Sequence, residues 1–158
     1  GAYPQGMTER AQLLGDLFNS SGVQCKVSEQ IQQARWMKLV WNAPYNPISV
    51  LAGGVDTQAI MANENTAKLV RDIMEEVYAV AKAVGTEFDH SVIQQNIDRT
   101  LKMCAYKPSM LLDHQAGREM EVESILGNAL KAARRVKVAT PHMDAIYGLI
   151  QLLNKTDP

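Results

Sequence analysis

Apolar positions along most of this chain recur at three- and four-residue steps, the period of a helix with one buried face. Val70, Ile73, Met74, Val77, Ala81 and Val84 form a long stripe closed by Gly85, which predicts a core helix with a glycine at its C-terminal cap. Ile93, Ile97, Leu101 and Cys104 make another stripe, and a shorter helix is expected from near Pro108 to Gly117. Val122, Ile125, Leu126, Ala129, Leu130, Ala133 and Val136 form the cleanest stripe. Thr140-Pro141 then cap and start a last helix carrying Met143, Ile146, Tyr147, Ile150 and Leu153. Upstream, residues 8–20 read as a short helix, Ser20-Ser21-Gly22 as a turn and residues 23–27 as a brief strand. A lone strand cannot satisfy its own backbone. It therefore pairs with another copy, lies irregularly on the helices, or is the torn edge of a sheet. Ser28 is the expected N-cap of a helix running through residues 36–42, which Pro44 and Pro47 should end or kink, with Gly53-Gly54 as a loop. The expected architecture is an all-α bundle of about six helices with an α/β fragment at its N-terminus.

Composition narrows the function classes. With 158 residues and 46% hydrophobic content the chain suits one domain with an appendage. Net charge is -1, and the tight basic cluster of Lys131, Arg134, Arg135 and Lys137 falls at an expected helix end, where the dipole accounts for it. Nucleic acid and anionic membrane are therefore poor partners. No apolar run reaches the length of a membrane span, and no signal-peptide pattern opens these residues. Cys25 and Cys104 are isolated thiols, the usage of a reduced cytoplasmic protein. His90, His114 and His142 lack the short spacing of metal ligands, so no metal site is expected.

Two stretches depart from ordinary core chemistry. Residues 36–47 hold both tryptophans and are nearly all apolar except for Lys38, Asn42 and Asn46, spaced four apart and so stacked on one helix face. A lysine there either snorkels to solvent along its stem or is a held, desolvated ammonium. The second stretch, residues 107–123, places Ser109 at a helix start and Glu121 at the start of the following helix. Both are also ordinary capping and first-turn positions.

Taken together, residues 36–39, Asn42, Asn46-Pro47, residues 109–113, Gly117-Arg118, residues 121–123 and Ile125-Leu126-Gly127 resemble, in order and spacing, the C-terminal domain of the ketopantoate reductase (2-dehydropantoate 2-reductase) family. The resemblance runs from about Ser28 to Leu153. It implies a helical bundle of the 6-phosphogluconate dehydrogenase C-terminal-like type over residues 28–158. Residues 1–27 would then be the last helix and strand of an N-terminal Rossmann domain. In that family the Rossmann domain binds NADP(H), and no G-x-G-x-x-G turn occurs in this sequence. The chain is thus expected to be the substrate-binding and dimerising half of an NADPH-dependent reductase of ketopantoate, a step of pantothenate biosynthesis, or of a similar small 2-oxo acid. Without the cofactor domain it should be inactive and hold no cofactor tightly.

The resemblance also implies roles. Lys38 matches the catalytic lysine, able to polarise the carbonyl and protonate its oxygen. Burial in an apolar wall would lower its pKa, while the acidic site residue, Glu121, would oppose that fall and fix its position. Asn42, Asn46 and Ser109 match substrate-contacting positions, and a homodimer is implied. Pro44 departs from the family's usual filling between the two asparagines, which bears on the substrate rather than the reaction. The competing readings are a reductase of the same plan with a different carbonyl substrate, and a non-catalytic helical dimerisation module in which Lys38 and Glu121 form a structural ion pair.

Overall fold

A computed structural model describes residues 1–3 and 6–154 of the chain. All regular structure in these residues is helical: α1 Glu9–Ser20, α2 Ile31–Leu51, α3 Thr57–Ala62, α4 Glu64–Ala83, α5 Val92–Lys102, α6 Ser109–Gln115, a π-helical turn Glu123–Gly127, α7 Asn128–Val136 and α8 Pro141–Asn154. The all-α expectation holds. Among the described residues the bundle after α1 has seven α-helices rather than about six, the addition being α3, which is too short to show a stripe.

The axle is α2, which packs against α3, α4, α5, α6, α8 and the π turn. Pro44 and Pro47 do not end it; the helix runs through both to Leu51. Each proline removes one amide hydrogen bond, a cost on the order of 3 kcal/mol in a helix interior. Every residue from Ala43 to Val50 is buried, however, so packing on several helices offsets that cost. Ser28 is not the N-cap either. Its hydroxyl accepts from Gln30 N at 3.1 Å and closes a turn just before the helix.

α4 supplies the longest buried stripe, with Val70, Ile73, Met74, Val77 and Val80 fully buried. It ends as expected: Gly85 takes φ 83°, Gly85 N donates to Lys82 O and Thr86 N to Ala81 O. In α5 the core face is Ile93, Ile97 and Thr100, while Leu101 is exposed and Cys104 lies beyond the helix. The continuous helix expected over residues 122–136 is broken by the π turn before α7. At α8 the capping is done from across the bundle. Glu76 of α4, 8% exposed, accepts from His142 N and Met143 N at 2.9 Å each, whereas the Thr140 hydroxyl donates to Asp144. A carboxylate there meets both the free amides and the positive end of the helix dipole.

The predicted strand at residues 23–27 is absent. The segment folds back irregularly on α1, where the Asn19 side chain accepts from Cys25 N at 2.8 Å and donates to Cys25 O at 2.9 Å. One amide thus supplies the pairing a strand partner would have supplied. Val27 presses on Gly15, where a Cβ would lie 2.4 Å from its methyl. α1 itself leaves Leu13, Leu14, Leu17 and Phe18 exposed. Among the described residues no helix is long and apolar enough to cross a membrane.

Candidate active-site cleft

A cleft of ≈ 790 Å³ opens beside α2. One wall is the α2 face carrying Met37, Lys38, Trp41 and Asn42, successive positions on adjoining turns. The facing wall is α5, which presents Val92, Gln95, Asn96 and Arg99 at three- and four-residue steps. Met103 and Tyr106, from the loop after α5, close one side, and Ser109 and Glu121 complete the lining.

Local structure fixes each position. Trp41 is tied down by its indole N–H, which donates to Thr100 Oγ1 at 2.9 Å, and its ring lies 4.8 Å from Tyr45 and 5.9 Å from Tyr106. Tyr45 is fully buried beneath; burial pushes its phenol above the ordinary value, and a hydrogen bond with Thr100 pulls part of the way back. The 103–106 loop is held by α3: Gln58 Nε2 donates to Thr100 O and Met103 O, and Thr57 N to Tyr106 O. Glu121 sits at the centre of a three-residue turn closed by Val122 N donating to Met120 O at 2.7 Å. Met120 and Val122 are buried on either side, and Met120 N donates to Asn154 Oδ1, so the turn is anchored to α8 and pushes Glu121 outward. The π turn follows directly, a feature frequent next to functional sites. Across that turn Glu123 accepts from Tyr147 OH and from Lys131, and these two hold its carboxyl below the ordinary glutamate range.

Asn46 is 1% exposed and does not line the cleft. It accepts from Met110 N at 3.1 Å and Ser109 Oγ at 3.3 Å, and donates to Asn42 O at 3.2 Å. Pro108, at the N-cap position of α6, carries no side-chain acceptor to cap with; Asn46 caps that helix from α2 instead.

Four of the five residues singled out from sequence therefore meet on one cleft: Lys38, Asn42, Ser109 and Glu121. The structure decides between the readings of Lys38. Its side chain is exposed rather than desolvated, because the apolar residues of α2 surround the helix and only the positions from Val40 onward turn into the core. Nor does a salt bridge join it to Glu121 among the described residues, which removes the structural ion pair. The α5 wall was missed. The signal was present as a second stripe, residues 92, 95, 96, 99 and 103, beside the apolar one. A further groove of ≈ 530 Å³ lies on a different face of α2, against Trp36, Leu39, Ala129 and Ala132, and none of the candidate residues lines it.

Comparison with known proteins places the fold in a family. A crystal structure of 2-dehydropantoate 2-reductase from Methylococcus capsulatus matches with a TM-score of 0.92 at 46% identity, over 96% of this chain and 48% of that one. A dimeric ketopantoate reductase from Staphylococcus aureus matches at 0.84 and 28% identity, over 95% and 52% of the two chains. Among curated proteins, a 2-dehydropantoate 2-reductase from Nostoc sp. is 38% identical over 154 residues, 98% of this chain and 48% of the relative. The chain spans about half the length of these relatives. The family described as ketopantoate reductase PanE/ApbA C terminal matches residues 30–154, and the chain belongs to that family.

Proposed function

We propose that this chain is the substrate-side half of an NADPH-dependent reductase of ketopantoate or a similar small 2-oxo acid. The observation that carries the reading is the convergence of Lys38, Asn42, Ser109 and Glu121, from three separate segments, on one cleft. The sequence carries no G-x-G-x-x-G turn, the signature of a dinucleotide-binding domain. In this reading the reductant is held by a part of the protein outside these residues, and residues 1–27 are the end of that Rossmann domain. The relatives' doubled length supports this division.

Within the cleft the division of labour follows from chemistry. Reduction of a ketone leaves negative charge on oxygen, and the Lys38 ammonium is the group placed to stabilise and protonate it. Glu121 balances that charge and accepts from substrate hydroxyls, while Asn42 and Ser109 supply neutral hydrogen bonds. Asn46 acts one layer down, by holding Ser109 and the start of α6. A second reading, the same reaction on a different carbonyl substrate, is favoured by the apolar side chains of Met37, Trp41, Val92 and Met103 in the lining. The intact protein is read as a homodimer, supported by the dimeric relative and by the exposed apolar face of α1.

Steady-state kinetics of Lys38→Met in the intact protein test the assignment. The expected loss is on the order of 10²- to 10⁴-fold in kcat, the range for removing a general acid. Thermal stability should be unchanged, since Lys38 is exposed and no salt bridge engages it among the described residues. Unchanged turnover sinks the catalytic role.

A further inference from the structure

We propose that Arg99 is the carboxylate anchor of this cleft, the residue that makes it select a 2-oxo acid over a neutral ketone. The inference rests on the reductase reading above and adds to it a residue that neither the motifs nor the family likeness singled out.

Arg99 projects from the same α5 face as Gln95 and Asn96, across from Lys38, and also lines the shallow groove that continues the cleft past Lys102. No hydrogen bond or salt bridge engages it among the described residues, and its neighbours show why. Asp98, the nearest carboxylate in sequence, accepts from Gln94 Nε2 at 2.7 Å; Gln95 Nε2 donates to Ser91 Oγ. Gln94 in turn accepts from Arg71 at 2.6 Å. The outer polar groups of α5 are thus paired with one another or with α4, and Arg99 faces the cleft with its five donors unspent.

The chemistry of a 2-oxo acid needs two separate polar contacts. One cation must meet the ketone oxygen as charge develops there, and a second must neutralise the carboxylate that is present throughout. Lys38, a compact point charge, suits the first role. A guanidinium, planar and always charged, takes a carboxylate through two parallel hydrogen bonds and suits the second. Glu121 is the single acidic side chain in the lining. With both cations in place the empty cleft is net positive, which draws in a monoanion and disfavours an uncharged ketone.

The test uses the intact protein with NADPH, with ketopantoate and its neutral amide as the two probes. For Arg99→Met, the KM for ketopantoate should rise about 10- to 100-fold, the range for losing a charge-assisted contact, while KM for the amide stays within about 2-fold. Arg99→Lys should recover part of the loss, charge being kept and the fork removed. The KM for NADPH should not move. Unchanged KM for ketopantoate, or an NADPH KM that rises in its place, overturns the assignment. Calorimetric titration of ketopantoate into wild type and Arg99→Met separates the two layers of the argument. Binding that depends on Arg99 without any turnover in wild type keeps the anchor and sinks the reductase reading. Turnover and binding that ignore Arg99 do the reverse. Melting temperatures of both variants should match wild type, because the side chain is exposed.

Discussion

Replacing Asn46 by alanine is the sharpest perturbation of the scaffold under the cleft. Among the described residues Asn46 Oδ1 is the side-chain acceptor for Met110 N, the amide that Pro108 leaves uncapped at the start of α6. Alanine strands that buried donor, which costs about 1–3 kcal/mol, and withdraws the donor to Asn42 O, a smaller loss because the carbonyl keeps a second lone pair. Together these give about 2–3 kcal/mol. For a chain of this size a loss of 1 kcal/mol lowers Tm by about 2–4 °C, so the expected fall is about 4–12 °C. Ser109→Ala is the control: it removes only the 3.3 Å contact to Asn46 and should cost about 1 kcal/mol or less. Thermal unfolding followed by circular dichroism gives the magnitude, and hydrogen exchange at the Met110 amide gives the location. A shift below about 2 °C with Met110 protection intact would refute the idea that Asn46 holds α6 against α2.

Two further perturbations probe the rest of the frame. Tyr147→Phe removes the larger of the causes that hold the Glu123 carboxyl below its ordinary range. A depressed carboxyl contributes stability above its unfolded value and loses it as pH falls through the folded one, so the variant's Tm should depend less on pH in the acid limb. An acid limb as steep as wild type's would dismiss that hydrogen bond. Thr57 is fully buried and its hydroxyl finds no hydrogen-bond partner among the described residues, so Thr57→Val should be neutral or stabilising by up to about 1 kcal/mol. A clear drop in Tm would mean that the hydroxyl is satisfied.

How far the sequence could be read depended on whether an interaction is local. The stripes of α4 and α8 are local patterns and locate those helices closely; Gly85 caps α4 because a left-handed residue is needed there. Lys38, Asn42, Ser109 and Glu121 could be singled out as candidates because their motifs stand at fixed spacings, and all four line one cleft. What escaped is tertiary. Prolines at 44 and 47 read as breakers until the burial of residues 43–50 is known, and only the assembled bundle supplies that. The apolar neighbours of Lys38 leave burial and snorkelling open; the first half of α2 is flanked by a cleft on one face and a groove on another, so apolar residues there are walls rather than core. Glu76 and Asn46 both cap helices distant in sequence, which no spacing rule can find. The strand at residues 23–27 failed for a related reason: Asn19 satisfies Cys25 from the preceding helix, and the pattern of side chains does not encode that competitor.

The central claim is that the cleft between α2 and α5 receives a 2-oxo acid for reduction. Its most direct test is ketopantoate-dependent oxidation of NADPH by the intact wild-type protein, run beside a panel of other small 2-oxo acids. Saturable oxidation is expected with ketopantoate or with one of its close 2-oxo analogues, lowered on the order of 10²- to 10⁴-fold in Lys38→Met. A protein that binds NADPH yet oxidises it with none of them would contradict it.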